Sequence, residues 1–256
     1  MTLTFKYIHF PYTGSTNDDL KELAQKGAHE GTVIRADAQT LGRGRRSRVW
    51  SSPPGNLYMS ILLRPQGPTD MITQLSFVSA LAVASGLETL LPPPHSLHLK
   101  WPNDILYQGK KIGGILIESQ NHGTQNVDWV VVGIGINLIS HPEGTTYPAT
   151  NLLAEIHLSL NPDRVMNTLL NALDHLYTQW QTEGFDAICQ RWCARAYGLG
   201  QEIKIVSENE TITGTYLGID TQGSLKIKLE DTTIKTVRSG DVFFKSLDYT
   251  NLNIED

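Results

Sequence analysis

The chain has little of what marks a secreted, membrane-bound or nucleic-acid-binding protein. Its 256 residues include two cysteines, Cys189 and Cys193, too few for a disulfide framework. The pair could seat a metal at helical i,i+4 spacing, but no third or fourth ligand stands out, and two buried small side chains are the plainer reading. Lysine and arginine total 21 against 26 acidic residues. A net charge of -5 argues against a general binder of nucleic acid or membrane surfaces, because both call for a basic excess. No unbroken apolar run approaches the roughly 18 residues that suggest a membrane span. The opening MTLTFKYIHFPYTGS lacks the basic-then-apolar order of a secretory leader. The expectation is a cytoplasmic protein. Familiar chemistry is missing as well: there is no P-loop, and the eight histidines are scattered with no nucleophile–His–acid set.

What is present reads as one large domain followed by a small one. Ser15-Thr16-Asn17-Asp18 caps a helix that ends at Gly27. A strand is predicted from Thr32 to Thr40, a loop over LGRGRRSRVWSSPPGN, and a buried strand from Asn56 to Arg64. A long helix spans Asp70 to Leu91 and stops at three prolines. Strand candidates follow at Leu97 to Trp101, Lys111 to Glu118 and Val127 to Leu138. The last of these could be an edge that pairs two subunits. Asn161-Pro162-Asp163 opens a helix with Val165, Leu169, Ala172, Leu173, Leu176 and Trp180 on one face, and another helix covers Phe185 to Ala196. Beyond Gly198 the texture becomes short alternating strands between turns such as Asp220-Thr221-Gln222-Gly223.

Three segments carry chemistry. Gly42-Arg43-Gly44-Arg45-Arg46-Ser47-Arg48 packs four guanidinium groups into seven residues of an acidic protein. Such forks suit phosphate or carboxylate, and the glycines let the backbone approach a ligand. A solvated basic loop is the bland alternative. Trp50 beyond it could cover a ligand or belong to the core. In Lys111-Ile112-Gly113-Gly114-Ile115, period-two alternation puts Lys111 and Gly113 on one face, although a single surface lysine is the commoner case. In Val131 to Asn137, Gly133, Gly135 and Asn137 share a bare face that a flat ligand, or simply packed backbone, could occupy. It is not a dinucleotide fingerprint, since Leu138 stands where the third glycine belongs.

Together, GSTND, GRGRRSRVW, NLYMSI, KWPNDIL, KKIGGILIE, VGIGINL and the C-terminal LGIDTQGSLKIK resemble the biotin–protein ligase family in order and approximate spacing. The resemblance implies an α+β fold, with a mixed sheet backed by helices over residues 1–198 and a small SH3-like barrel over residues 199–256. It implies ATP and biotin as substrates with Mg2+, and transfer through biotinyl-5′-adenylate to a lysine of a biotin carboxyl carrier protein. Ser15, Thr16, Asn17 and Gln39 are expected at the ureido end of biotin, with Gly42, Gly113 and Gly133 beside them. Arg43, Gly44 and Arg45 are expected to close over the ligand, and Lys111 to bridge the biotin carboxylate and the α-phosphate. Arg48, Trp50, Asn103 and Asn137 would line the adenylate, and Asp104 would either assist the incoming lysine or serve an Asx turn. Two positions depart from the family pattern: Leu41 stands for a small residue and Ser47 for a glycine. Only some 14 residues precede the Ser-Thr-Asn motif, so no helix-turn-helix domain and no operator binding are expected. A homodimer stays open, as do a lipoate–protein ligase and a non-catalytic biotin sensor.

Overall fold

Leu57–Leu63 reads LYMSILL, and all seven residues are buried because the strand lies mid-sheet with both faces covered. The structure, a computed structural model, describes residues 2–121, 127–208 and 210–244. Its first half runs β1 (Lys6–Thr13), α1 (Thr16–Gln25), β2 (Thr32–Gln39), β3 (Leu57–Leu63) and α2 (Gln74–Glu88). Next come β4 (Leu97–Lys100), β5 (Asp104–Tyr107), β6 (Lys110–Gln120) and β7 (Trp129–Ile136). Helices α3 (Leu152–Ile156), α4 (Pro162–Glu183) and α5 (Asp186–Cys193) complete the α/β part. The C-terminal strands are β8 (Glu202–Val206), β9 (Thr211–Ile219), β10 (Leu225–Lys228), β11 (Ile234–Val237) and β12 (Asp241–Phe244).

The large sheet has the order β1-β2-β3-β7-β6-β5-β4, parallel only between β1 and β2. The small one, β11-β10-β9-β8-β12, is wholly antiparallel and makes an SH3-like barrel. Alternation along β3 and β7 sorts the side chains. Leu57, Met59, Ile61 and Leu63, with Val130, Val132, Ile134 and Ile136, pack beneath α2 and α4 in the main core. Burying each large side chain contributes about 1.5–3 kcal/mol, so this face dominates the stability of the sheet. On the opposite face, Leu62 and Val131 meet Leu20 and Ala24 of α1. Further along that face come Ser60 and Tyr58 opposite Gly133 and Gly135, where the packing of α1 gives way to a cavity.

The barrel joins the main core rather than hanging from it. Trp101 Nε1 donates to Gly223 O at 3.0 Å, and Phe244 meets Tyr197 edge-on. Segment Met71–Glu88 is long and apolar enough, by composition, to cross a membrane, but most of it is buried inside the protein.

Several expectations need correcting. The strand expected at Val127 to Leu138 is observed as β7, which is no edge: it lies between β3 and β6. Strands β1, β5 and β12 were not anticipated, because each is short or mixes exposed polar positions with apolar ones. At the α4 terminus the Asn161 side chain accepts from Arg164 N at 3.0 Å, as the Asn-Pro-Asp signal predicts. Ser15 holds the N-cap position of α1 but makes no side-chain cap bond, so its hydroxyl is left to the cavity it lines.

Candidate functional site

The cavity lies over the bare part of the sheet and has a volume of about 670 Å3, within the roughly 300–1,000 Å3 usual for small-molecule sites. Glycines of β7 make its floor, for a steric reason. A Cβ on Gly133 would stand 2.3 Å from Asn17 Oδ1, and one on Gly135 would stand 2.6 Å from Trp50 Nε1. Asn137 follows two residues on, so the strand spreads these three positions over roughly 13 Å.

At the Gly133 end lies a polar cluster built from α1 and three strands. Gln39 Oε1 accepts from Thr16 N at 2.9 Å and from Thr16 Oγ1 at 3.1 Å. Gln39 Nε2 donates to Ser52 Oγ at 3.0 Å. Ser60 Oγ lies 2.7 Å from Thr16 Oγ1 and 2.6 Å from Asn17 Oδ1, while Asn17 Nδ2 donates to Glu118 at 2.7 Å. An ion network surrounds Glu118. Lys21 reaches both Asp18 and Glu118 at 2.8 Å, and Arg43 forks onto Asp18 and approaches Glu118 at 3.4 Å. The Arg43 hydrogen bonds, with help from Lys21, hold Asp18 at about 2 against a raising effect of burial.

The middle of the cavity departs from simple alternation. Ile105 pairs with Gly113 but Leu106 pairs with Lys111, so Ile112 is an extra residue, a β-bulge. The bulge turns Lys111 toward Gly114 rather than Gly113. A Cβ on Gly114 would stand 3.6 Å from Lys111 Cε and 3.3 Å from the Trp50 ring. One on Gly113 would strike Ile136 at 2.6 Å, so that glycine serves backbone packing and does not line the cavity. Gly42 is absent from the lining too, being enclosed by Ser52 Oγ and Trp50 O. Trp50 covers the floor, with Lys111 Nζ 5.4 Å from its ring.

At the far end Asp104 is shared by two lysines. Lys111 Nζ lies 2.5 Å from Oδ1, and Lys100 Nζ lies 3.4 Å from Oδ2. Burial alone would raise Asp104, but Lys111 and then Lys100 keep it below the ordinary carboxylate value. Its carboxylate therefore serves ion pairs with both lysines. Asn103 Nδ2 donates to Ile115 O at 2.6 Å, and Asn137 Nδ2 to Thr150 O at 3.1 Å.

The arginine loop (residues 42–48) roofs the cavity and ties both parts of the chain. Arg48 Nη2 donates to both carboxylate oxygens of Asp241 of β12, at 2.7 and 2.8 Å, and Arg46 approaches the same carboxylate at 3.7 Å. Arg45 lines the cavity; burial pulls its pKa down, while Asp241 and Asp104 oppose that. Ser47, where the family pattern has glycine, adopts φ +57°, the left-handed region that glycine enters without cost. Leu41, the other departure, is exposed beside Gly14.

The structure thus brings together Ser15, Thr16, Asn17, Gln39, Arg43, Gly44, Arg45, Arg48 and Trp50 with Asn103, Asp104, Lys111, Gly133 and Asn137. Sequence reasoning missed Ser60, Glu118, Lys100 and Asp241. Glu118 was legible, standing two and four residues beyond Leu116 and Gly114 on one strand face. Lys100 lay inside the KWPND segment without a role. Nothing in the sequence of β12 announced Asp241.

Comparison with known proteins then places the chain. A family described as "Biotin/lipoate A/B protein ligase family" matches residues 9–137, and "Biotin protein ligase C terminal domain" matches residues 198–245. The chain belongs to the biotin protein ligase family. It is 37% identical over 242 residues to the bifunctional ligase/repressor BirA of Bacillus subtilis, covering 92% of this chain and 73% of that one. It is 37% identical to the biotin–(acetyl-CoA-carboxylase) ligase of Paracoccus denitrificans over 84% of this chain and 91% of the other. The biotin protein ligase from Aquifex aeolicus, solved in complex with biotin and ATP, superposes with a TM-score of 0.80 at 31% identity, covering 93% of this chain and 97% of that chain.

Proposed function

We propose that this protein is an ATP-dependent biotin–protein ligase, working through biotinyl-5′-adenylate. The observation that carries the reading is a single cavity with two unlike ends on a glycine floor. One end is a hydrogen-bonding cluster suited to a neutral urea; the other holds two lysines around one aspartate, suited to joining two anions. Ser15, Thr16, Asn17 and Gln39 would hold the ureido ring, and Gly133 would let the bicycle lie against the sheet. Lys111 would bridge the biotin carboxylate and the ATP α-phosphate, while Arg43, Gly44 and Arg45 close above them. The carboxylate oxygen attacks the α-phosphorus and pyrophosphate departs. Arg48, Trp50, Asn103 and Asn137 would line the adenylate. Asp104 would then assist the incoming lysine by attracting its amino group as the free amine attacks the acyl carbon and AMP leaves. Gly42 and Gly113 act through backbone packing in this reading.

Among the described residues no group of three or more His, Cys, Asp or Glu could hold a metal. Mg2+ would arrive as the ATP complex, with much of its coordination from phosphates and water. The protein partner would be a biotin carboxyl carrier domain, with catalysis in residues 1–198 and a barrel in residues 199–256 that contributes Asp241 to the roof. Pairing of two copies would use β1, the open edge of the sheet, since β4 is bonded along its outer side to residues 195–197.

The test is intact-mass analysis of a purified carrier domain after incubation with this protein, Mg-ATP and biotin. A single biotinyl adduct that needs ATP is expected. An adduct with lipoate alone would make the protein a lipoate ligase. Biotin binding without pyrophosphate release would make it a sensor.

A further inference from the structure

Lys100 is an unexpected cation: only 6% exposed, inside the cavity wall, with Nζ 4.7 Å above the Tyr147 ring. Burying an ammonium is unfavourable, and burial does push its pKa down, with Asp104 opposing. A residue held at that cost calls for a partner that needs it. The partner is Asp104, whose two oxygens are divided between Lys111 at 2.5 Å and Lys100 at 3.4 Å. The other charged groups that act on this cluster are Arg45 of the roof and Asp241 of β12.

In the present arrangement Lys111 is pinned to Asp104. To engage a carboxylate and a phosphate it must give up some or all of that pairing. With Lys100 present, Asp104 keeps a cation when Lys111 leaves. Without Lys100, the departure of Lys111 would strand a buried carboxylate next to an incoming anion, which costs more than the lost pair alone. Resting on the ligase reading above, we propose that Lys100 is a positioning residue. It receives the Asp104 carboxylate when Lys111 swings to the anionic ligand, and so keeps the site net cationic.

This account predicts a sign reversal between variants. Binding of a non-reactive biotinol adenylate to the full chain is measured by calorimetry for wild type, Lys100→Met, Asp104→Asn and the double variant. Lys100→Met should bind roughly tenfold more weakly, the size of one nearby charge in such a site. Asp104→Asn should bind at least as tightly as wild type, because Lys111 is unpinned. The double variant should recover most of the loss, since no carboxylate remains to strand. Thermal melts confirm folding, and Lys100→Gln replaces Lys100→Met if the latter unfolds. Unchanged binding by Lys100→Met, or a double variant no better than Lys100→Met, overturns the proposal while leaving the ligase reading intact. Failure of the wild type to bind the adenylate overturns both.

Discussion

Two ion clusters stand at opposite ends of one cavity, and their charge counts differ. Near Gly133, Asp18 and Glu118 face Lys21 and Arg43, two anions against two cations. Near Asn103, Asp104 alone faces Lys100 and Lys111. The first cluster is balanced and partly open to water, where such pairs contribute little beyond fixing geometry. In the second, Lys100 and Asp104 are buried while Lys111 is partly open, and the surplus positive charge beside a low-dielectric wall is a standing attraction for an anion. The contrast teaches that charged residues in a site need not share a purpose. One set ties α1 to the arginine loop and β6 with its charges matched. The other leaves one positive charge unmatched.

The largest expected effect comes from the surplus cluster. Lys111→Ala should lower the rate of adenylate formation by a factor of about 100 to 1,000, as for loss of one preorganised transition-state donor. Pyrophosphate release at saturating biotin and ATP reads this directly, and a loss under tenfold would erase the distinction between the clusters. A middling effect is expected from Glu118→Gln in the balanced set. It leaves Lys21 and Arg43 in excess and removes the charged acceptor of Asn17, costing about 1–2 kcal/mol in biotin affinity. The rate at saturation should hardly change, so a KM effect without a kcat effect is the signature to look for. The smallest effect is with pH. Asp18 is held at about 2 rather than 3.8, chiefly by Arg43, so its contribution is complete above about pH 4 and fades as pH falls toward 2. The protection of the arginine loop against hydrogen exchange, taken relative to the intrinsic exchange rate at each pH, should fall over that window in the wild type and stay flat there in Asp18→Asn.

Most of the elements and much of the site were legible because their signals are local. The Asn-Pro-Asp cap, the apolar stripe of α4 and the alternating glycines of β7 each depend on residues within a few positions of one another. The bulge at Ile112 was not legible. Its presence depends on how β6 meets β5, and it exchanged Gly113 for Gly114 as the glycine beside Lys111. The central place of β7 was hidden for the same kind of reason, since an all-apolar strand reads alike wherever it pairs.

The sequence by itself determined which chemistry was available: an arginine-rich loop, a bare strand face, and the separate candidates Lys111 and Asp104 in an acidic chain with two cysteines. Tertiary structure alone decided which charges meet. Asp241 lies 193 residues from Arg48, and Glu118 lies 101 from Asn17, yet each pair is in contact. Such pairings are set by strand order and by the docking of the barrel, which arise from burial summed over the whole core and leave no mark at the residues they unite.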